Sequence, residues 1–245
     1  MIFDAHFHIA DPRFPWLGDG YRPAPFTLDD YLARTAHLGF TGGAVVAGAF
    51  QGYDRSFLFD ALERLGPGFV GIAQLPSSVS DAEVHELAAA GVVGIRLNIF
   101  REPVEPVEAQ LALARRVAEL AGWHAELHVD ARRLGELDLD GIPRVVIDHL
   151  GRAQDGLPAL LAAVERGARV KASGFGRGDL DVPAALRAIG ALDPGALMFG
   201  SDLPSTRNPR RPFEDTDVEL VRRVGGQAAL HDNAAGFYLT ASRSA

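Results

Sequence analysis

Short apolar, β-branched runs alternate along this chain with longer stretches whose apolar positions recur at helical spacing, the pattern of a parallel sheet covered by helices. Eight runs read as strands: 2–9, 43–47, 69–75, 92–99, 124–129, 144–149, 169–174 and 196–202. Between them lie segments with helix-start signals: Thr27-Leu-Asp-Asp before 31–38, Ser80-Asp-Ala-Glu before 84–90, and Pro106 opening 107–121. Segments 155–165, 181–189 and 215–224 complete the outer layer, and 227–239 adds a terminal helix. Eight strands predict closure, so the fold class is α/β, a single-domain (β/α)8 barrel over residues 1–245. The alternative is an open doubly wound sheet, but the first run is not followed by a Gly-x-Gly-x-x-Gly turn. A long loop rich in Pro, Arg and aromatics, 10–26, follows it instead.

The first run carries Asp4-Ala-His6-Phe-His8, three metal-competent side chains at i, i+2 and i+4. In a regular strand all three share one face, and two buried imidazoles on one side require a partner, most often a metal ion or a carboxyl group. Polar residues recur at the C-terminal ends of later runs, where a (β/α)8 barrel places its chemistry. Run four carries Arg96 and Asn98, run five Glu126 and His128, run six ends in His149, run seven is followed by Arg177, and run eight ends in Asp202. Singly, each has a plain structural explanation, such as a strand cap or a turn residue. A whole series of strands ending this way is hard to attribute to packing.

Composition narrows the chemistry. The 245 residues are 47% hydrophobic and 23% charged, and no apolar run is long enough to span a bilayer. No basic segment followed by an apolar one opens the chain, so we expect a cytoplasmic protein without a cleaved leader. The absence of cysteine removes disulfides, thiolate ligands and a thiol nucleophile, leaving nitrogen and oxygen donors for any metal. A net charge of −8 argues against nucleic acid as a partner.

The ordered set Asp4-Ala-His6-Phe-His8, Gly94-Ile-Arg96-Leu-Asn98, Val146-Ile-Asp-His149-Leu-Gly151, Lys171-Ala-Ser-Gly-Phe-Gly-Arg177 and Phe199-Gly-Ser-Asp202-Leu-Pro204 resembles the amidohydrolase superfamily. Within it, the similarity is to the branch of 2-pyrone-4,6-dicarboxylate lactonase and related sugar lactonases, and it covers essentially the whole chain. The resemblance implies a TIM barrel of the amidohydrolase type, with Asp202 taking a proton from the attacking water. It implies that His6, His8 and His149 hold a divalent metal or the substrate carbonyl. Metal-dependent relatives mostly carry Lys or Glu at the end of the fourth strand to bridge two metals. This chain has Arg96 and Asn98 there, so at most one metal is expected. His128, where the resemblance leads one to expect tyrosine, would complete a zinc set with His6, His8 and Asp202; metal-free catalysis is the alternative.

Arginine at a barrel mouth pairs bidentately with carboxylate or phosphate, which makes Arg96, Arg101 and Arg177 candidate anion ligands. Asn98 and Arg207 join them as candidate substrate contacts. Trp16 and Tyr21 from the first loop, with Gln51 and Tyr53 from the second, are expected to close over the mouth. Arg210 and Arg211 are expected to pair with the acidic residues Glu214, Asp215 and Asp217. His37, His85 and His231 read as surface residues, and His124 lies at the strand end away from the chemistry. The expectation is a hydrolase that opens a small lactone bearing a carboxylate or several hydroxyls. The rivals are a metal-dependent decarboxylase of a small aromatic or unsaturated acid and a non-catalytic binding barrel.

Overall fold

The computed structural model describes residues 1–18, 20–100, 105–208 and 210–240. Its strands are β1 Ile2–Phe7, β2 Phe40–Val46, β3 Phe69–Ala73, β4 Val92–Asn98, β5 His124–His128, β6 Val145–Ile147, β7 Arg169–Ala172 and β8 Leu197–Phe199. They form one parallel sheet in chain order. The sheet curls until the segment after β8 meets β1. There the Asp202 N–H donates to His6 O at 2.7 Å and the His8 N–H donates to Leu203 O at 2.8 Å. The outer layer consists of α1 Leu28–Thr35, α2 Ser56–Leu65, α3 Asp81–Ala89, α4 Val107–Ala121, α5 Leu157–Glu165, α6 Val182–Leu192 and α7 Asp215–Gln227, with α8 Asn233–Leu239 last. This is a (β/α)8 barrel.

The expected start signals operate as capping interactions. Thr27 and Ser80 each accept from the backbone three residues on, while Asp30 and Glu83 reach back, closing two capping boxes. The helix α2 carries no such signal, since Arg55 at its N-cap makes no side-chain capping bond, and the sequence pattern did not single it out. Its buried face, Phe57, Leu58, Ala61 and Leu62, packs in the main core between sheet and helices.

A second apolar cluster, including Phe3, Val46, Ile72, Val146 and Met198, fills the lower barrel interior and is closed from α8 by Ala234 and Tyr238. Tyr238 stacks on Phe3 with ring centroids 5.6 Å apart. The bottom of the barrel is thus plugged, and the polar residues sit above the plug. Among the described residues, no helix is long and apolar enough to cross a membrane.

Candidate active site

A regular β1 would align Asp4, His6 and His8, but the strand is bulged. Between Asp4 and Phe7 it advances three residues while β2 advances two, from Gly43 to Val45, and the extra residue reverses the alternation. Asp4 therefore belongs to a different environment from the histidines, which corrects the expectation of one shared face. Its Oδ1 accepts from the His6 and Ser201 amides at 3.2 and 2.8 Å, and its Oδ2 accepts from Ser201 Oγ and from Tyr31 of α1 at 2.6 and 3.2 Å. Asp4 is a brace between β1, α1 and the segment after β8. Burial raises its pKa to about 6 despite these hydrogen bonds.

His6 and His8 stand together with their Nε2 atoms 3.2 Å apart. His8 Nδ1 lies 2.7 Å from Val46 O, an atom that can only accept, so the ring proton is on Nδ1 and Nε2 keeps its lone pair. Burial pushes His8 down to about 3 and lowers His6, His128 and His149 well below the ordinary imidazole value. All four rings are neutral near pH 7.

Asp202 faces the pair. Its backbone is left-handed at φ 56°, in a segment that turns sharply after β8. Oδ2 accepts from Arg177 Nε at 2.5 Å, while Oδ1, buried and without a hydrogen-bond partner, lies 3.7 Å from His8 Nε2 and 3.9 Å from His6 Nε2. Burial raises the Asp202 pKa, and the Arg177 charge opposes that rise. His149, also left-handed at φ 53°, places its ring 4.7 Å from that of His6 and its Nδ1 3.0 Å from Ser173 Oγ. Gly174 is obligatory there: at φ 61°, a Cβ would lie 2.6 Å from His149 Nδ1.

The structure thus brings His6, His8, His149 and Asp202 together, with Arg96 and Arg177 around them. Both arginines are paired within the protein. Arg96 Nε donates to Asp148 Oδ2 at 2.9 Å and Nη1 to Ala47 O at 3.3 Å; Arg177 holds Asp202 and also donates from Nη2 to Thr206 O at 2.8 Å. Each retains further N–H groups for a ligand.

Other expected contacts lie elsewhere. Nδ1 of His128 meets Asn98 Oδ1 at 2.9 Å and its Nε2 meets Arg152 Nη1 at 3.3 Å, so both ring nitrogens are engaged away from His6 and His8. That pairing also occupies Asn98. Gln51 is used structurally: Oε1 accepts from Gly48 N at 2.7 Å and Nε2 donates to Ile9 O at 3.0 Å, tying the second loop to the first. Arg207 stacks over Tyr21 at 3.9 Å, its amide donating to the Tyr21 hydroxyl at 3.3 Å. Tyr53, Leu17, Phe59 and Leu75 line a cavity of about 820 Å³ that also reaches Arg96 and Asn98. Trp16 packs edge-on against Phe50. Arg211 pairs with Asp217 as expected. Arg101 lies outside the described residues.

Sequence reasoning missed Asp148, Lys171, Ser173 and Arg152. Lys171 is the most informative of them: it is fully buried between Val170 and Ala172, and such a cation demands a carboxylate. It pairs with Glu126 and lies 3.5 Å from Asp148 Oδ1 and 3.1 Å from His6 Nδ1. Glu126 also accepts from Tyr238 at 2.8 Å and contacts His124 at 3.2 Å, so it is part of the barrel interior and not of the mouth.

Two donor groups could hold a metal ion among the described residues: His6, His8 and Asp202, and His6, Asp148 and His149, each with ligand atoms within 4.8 Å of one another. The first fits a single divalent ion: two neutral imidazole nitrogens, one with an established lone pair, face a carboxylate oxygen that has no other partner. His128, expected in the ligand set, belongs to neither group.

An amidohydrolase family model matches residues 3–239. The 2-pyrone-4,6-dicarboxylate hydrolase of Comamonas testosteroni is 35% identical over 157 residues, 61% of this chain but only 51% of that protein. The 4-sulfomuconolactone hydrolase of Rhizobium radiobacter is 30% identical over an alignment of 260 positions, covering 93% of this chain and 85% of that protein. Among solved structures, a Pseudomonas putida protein assigned as a 2-pyrone-4,6-dicarboxylic acid hydrolase superposes with a TM-score of 0.83 at 28% identity, over 97% of each chain. On the extent of these matches, the chain belongs to the amidohydrolase family.

Proposed function

We propose that this hydrolase opens a small cyclic ester carrying an acidic group, with Asp202 as the base that activates water. The observation that carries the reading is the unpartnered Asp202 Oδ1, buried between two neutral histidines and flanked by the Arg96 and Arg177 guanidiniums. The named relatives act on lactones bearing carboxylates or a sulfonate, the anions a guanidinium fork recognises.

In this scheme Oδ1 takes the proton of a water directed at the lactone carbonyl. His6 and His149 face the carbonyl oxygen as the tetrahedral anion develops, and their neutral imidazole N–H groups stabilise it, His6 turning its Nε2 proton from His8 to that oxygen. Arg96 and Arg177 hold the substrate's acidic group through N–H groups not used on Asp148 and Asp202. Ring opening returns the proton from Asp202 to the departing oxygen. His6, His8 and Asp202 would be the ligands of a divalent metal, which when bound polarises the carbonyl and acidifies water. We place the reaction in one barrel domain spanning residues 1–245, with Tyr21 and Arg207 at the rim of the mouth.

The test is a panel of carboxylated, sulfonated and neutral lactones, with turnover read as proton release at constant pH. Proton release stoichiometric with ring opening is expected for the acidic lactones. Release of carbon dioxide from aromatic or unsaturated acids, with no lactone turnover, would replace this reading with that of a decarboxylase.

A further inference from the structure

We propose that Lys171, a residue outside the reacting shell, is a positioning residue that sets the tautomer of His6 and thereby decides whether His6 donates a proton into the site or ligates a metal. This rests on the reading of His6 as a group facing the lactone carbonyl, but the geometry behind it is independent of substrate.

His6 Nδ1 has two neighbours of opposite character. Lys171 Nζ is 3.1 Å away and can only donate; Asp148 Oδ1 is 3.3 Å away and can only accept. On the other side of the ring, His6 Nε2 meets His8 Nε2, a lone pair fixed by the bond from His8 Nδ1–H to Val46 O. Two facing lone pairs at 3.2 Å repel, so one consistent arrangement exists for the metal-free site. The proton sits on His6 Nε2 and is directed at His8, while Nδ1 accepts from Lys171. Asp148 Oδ1 then keeps its ionic contact with Lys171 Nζ at 3.5 Å and lies 3.3 Å from a His6 Nδ1 that carries no proton.

Ligation of a metal by His6 through Nε2 would require the other tautomer. His6 must then carry its proton on Nδ1 and give it to Asp148 Oδ1, the carboxylate–histidine–metal arrangement common at metal sites. Asp148 is suited to that task, because Arg96 holds its other oxygen at 2.9 Å. Lys171 opposes the change, since its ammonium would face an N–H. Lys171 and Asp148 therefore compete for one nitrogen, the lysine favouring direct donation to a carbonyl and the aspartate favouring ligation. Glu126 anchors Lys171 in this role and is in turn held by Tyr238, which couples the C-terminal helix to the active site.

The test uses full-length protein with ¹⁵N-labelled histidine, stripped of metal by chelation. His6 is assigned by comparison with His6→Gln, and its ring protonation is read from long-range ¹H–¹⁵N correlations. We expect the proton on Nε2 in the wild type. In the double variant Lys171→Met, Glu126→Gln, which leaves no buried charge from the pair, we expect it on Nδ1. Zinc affinity by calorimetry should rise roughly 10-fold over Glu126→Gln alone, the scale on which outer partners act on a metal site. A wild-type proton on Nδ1 overturns the proposal even if the double variant fails to fold. So does a variant in which neither the tautomer nor the zinc affinity moves. Neither readout uses a lactone, so an error in the proposed activity remains distinguishable from an error in this assignment.

Discussion

Asp202→Asn separates charge from shape at the centre of the proposed mechanism. The amide is nearly isosteric, and its oxygen can take the Arg177 Nε–H that Oδ2 accepts at 2.5 Å. Its nitrogen then points toward the His8 Nε2 lone pair, 3.7 Å from the present Oδ1, so no buried polar atom is newly orphaned. What disappears is the proton acceptor, and kcat should fall roughly 10² to 10⁴-fold. That is about 3–5 kcal/mol on the barrel's activation free energy at about 1.4 kcal/mol per decade. Stability responds differently. Splitting a buried ion pair costs about 3–5 kcal/mol, but the burial penalty that raises the Asp202 pKa is relieved at the same time. We expect a net loss of about 1–3 kcal/mol, seen as a drop of roughly 2–12 °C in Tm. Adding Arg177→Met to Asp202→Asn should recover part of that Tm by removing the stranded cation, with no recovery of kcat. Rates by proton release and Tm by calorimetry on the same preparations test both halves. A kcat within about five-fold of wild type would remove Asp202 from the base role, because a positioned base contributes at least about 100-fold.

Three further outcomes follow from particular contacts. Zinc titrated into metal-free protein should bind near one per chain, with His8→Ala weakening it by at least roughly 100-fold and His128→Ala changing it only a few-fold, since His128 is engaged by Asn98 and Arg152; comparable losses in both variants would return His128 to the ligand set. Arg96→Met should raise KM for a carboxylated lactone roughly 30-fold more than for a neutral analogue, about 2 kcal/mol for a desolvated charge contact; equal effects would leave Arg96 as a clamp on Asp148 alone. Asp4, raised by burial to about 6, keeps a proton in the folded chain between about pH 4 and 6 that the unfolded chain has lost, so its contribution falls as pH rises through that window, by about 3 kcal/mol. Asp4→Asn should flatten the pH dependence of urea unfolding over that range, and an unchanged slope would show that Asp4 is not its source.

The barrel was legible because strand alternation and helix caps are local signals, and each expected strand overlaps an observed one. The site was legible as a roster of residue types but not as a set of partnerships. The bulge in β1 leaves no mark in the sequence, yet it moves Asp4 out of the histidine environment. The strand ends at β6 and β8 were read too long, because the chain leaves the sheet there through turns in which non-glycine residues, His149 and Asp202, are themselves left-handed. The charge pairs join residues far apart in sequence: Arg96 to Asp148 across 52 positions, Lys171 to Glu126 across 45, Arg177 to Asp202 across 25.

A physical constraint nevertheless connects those pairs. In a barrel of known strand order, inward positions on neighbouring strands share one low-dielectric volume, so buried charges there must balance. Arg96, Lys171 and Arg177 face Glu126, Asp148 and Asp202, one carboxylate to each cation. An anionic substrate therefore meets cations that are already paired, and it must share guanidiniums that protein carboxylates hold. Sharing is feasible for Arg96 and Arg177, whose forks have N–H groups to spare, but not for Lys171, which is sealed beneath the histidines. The same balance shows why a divalent ion and an acidic substrate are compatible in one pocket: each offsets the charge that the other adds. Binding of zinc and of an acidic lactone should accordingly be mutually reinforcing, and a neutral lactone should gain less from the metal.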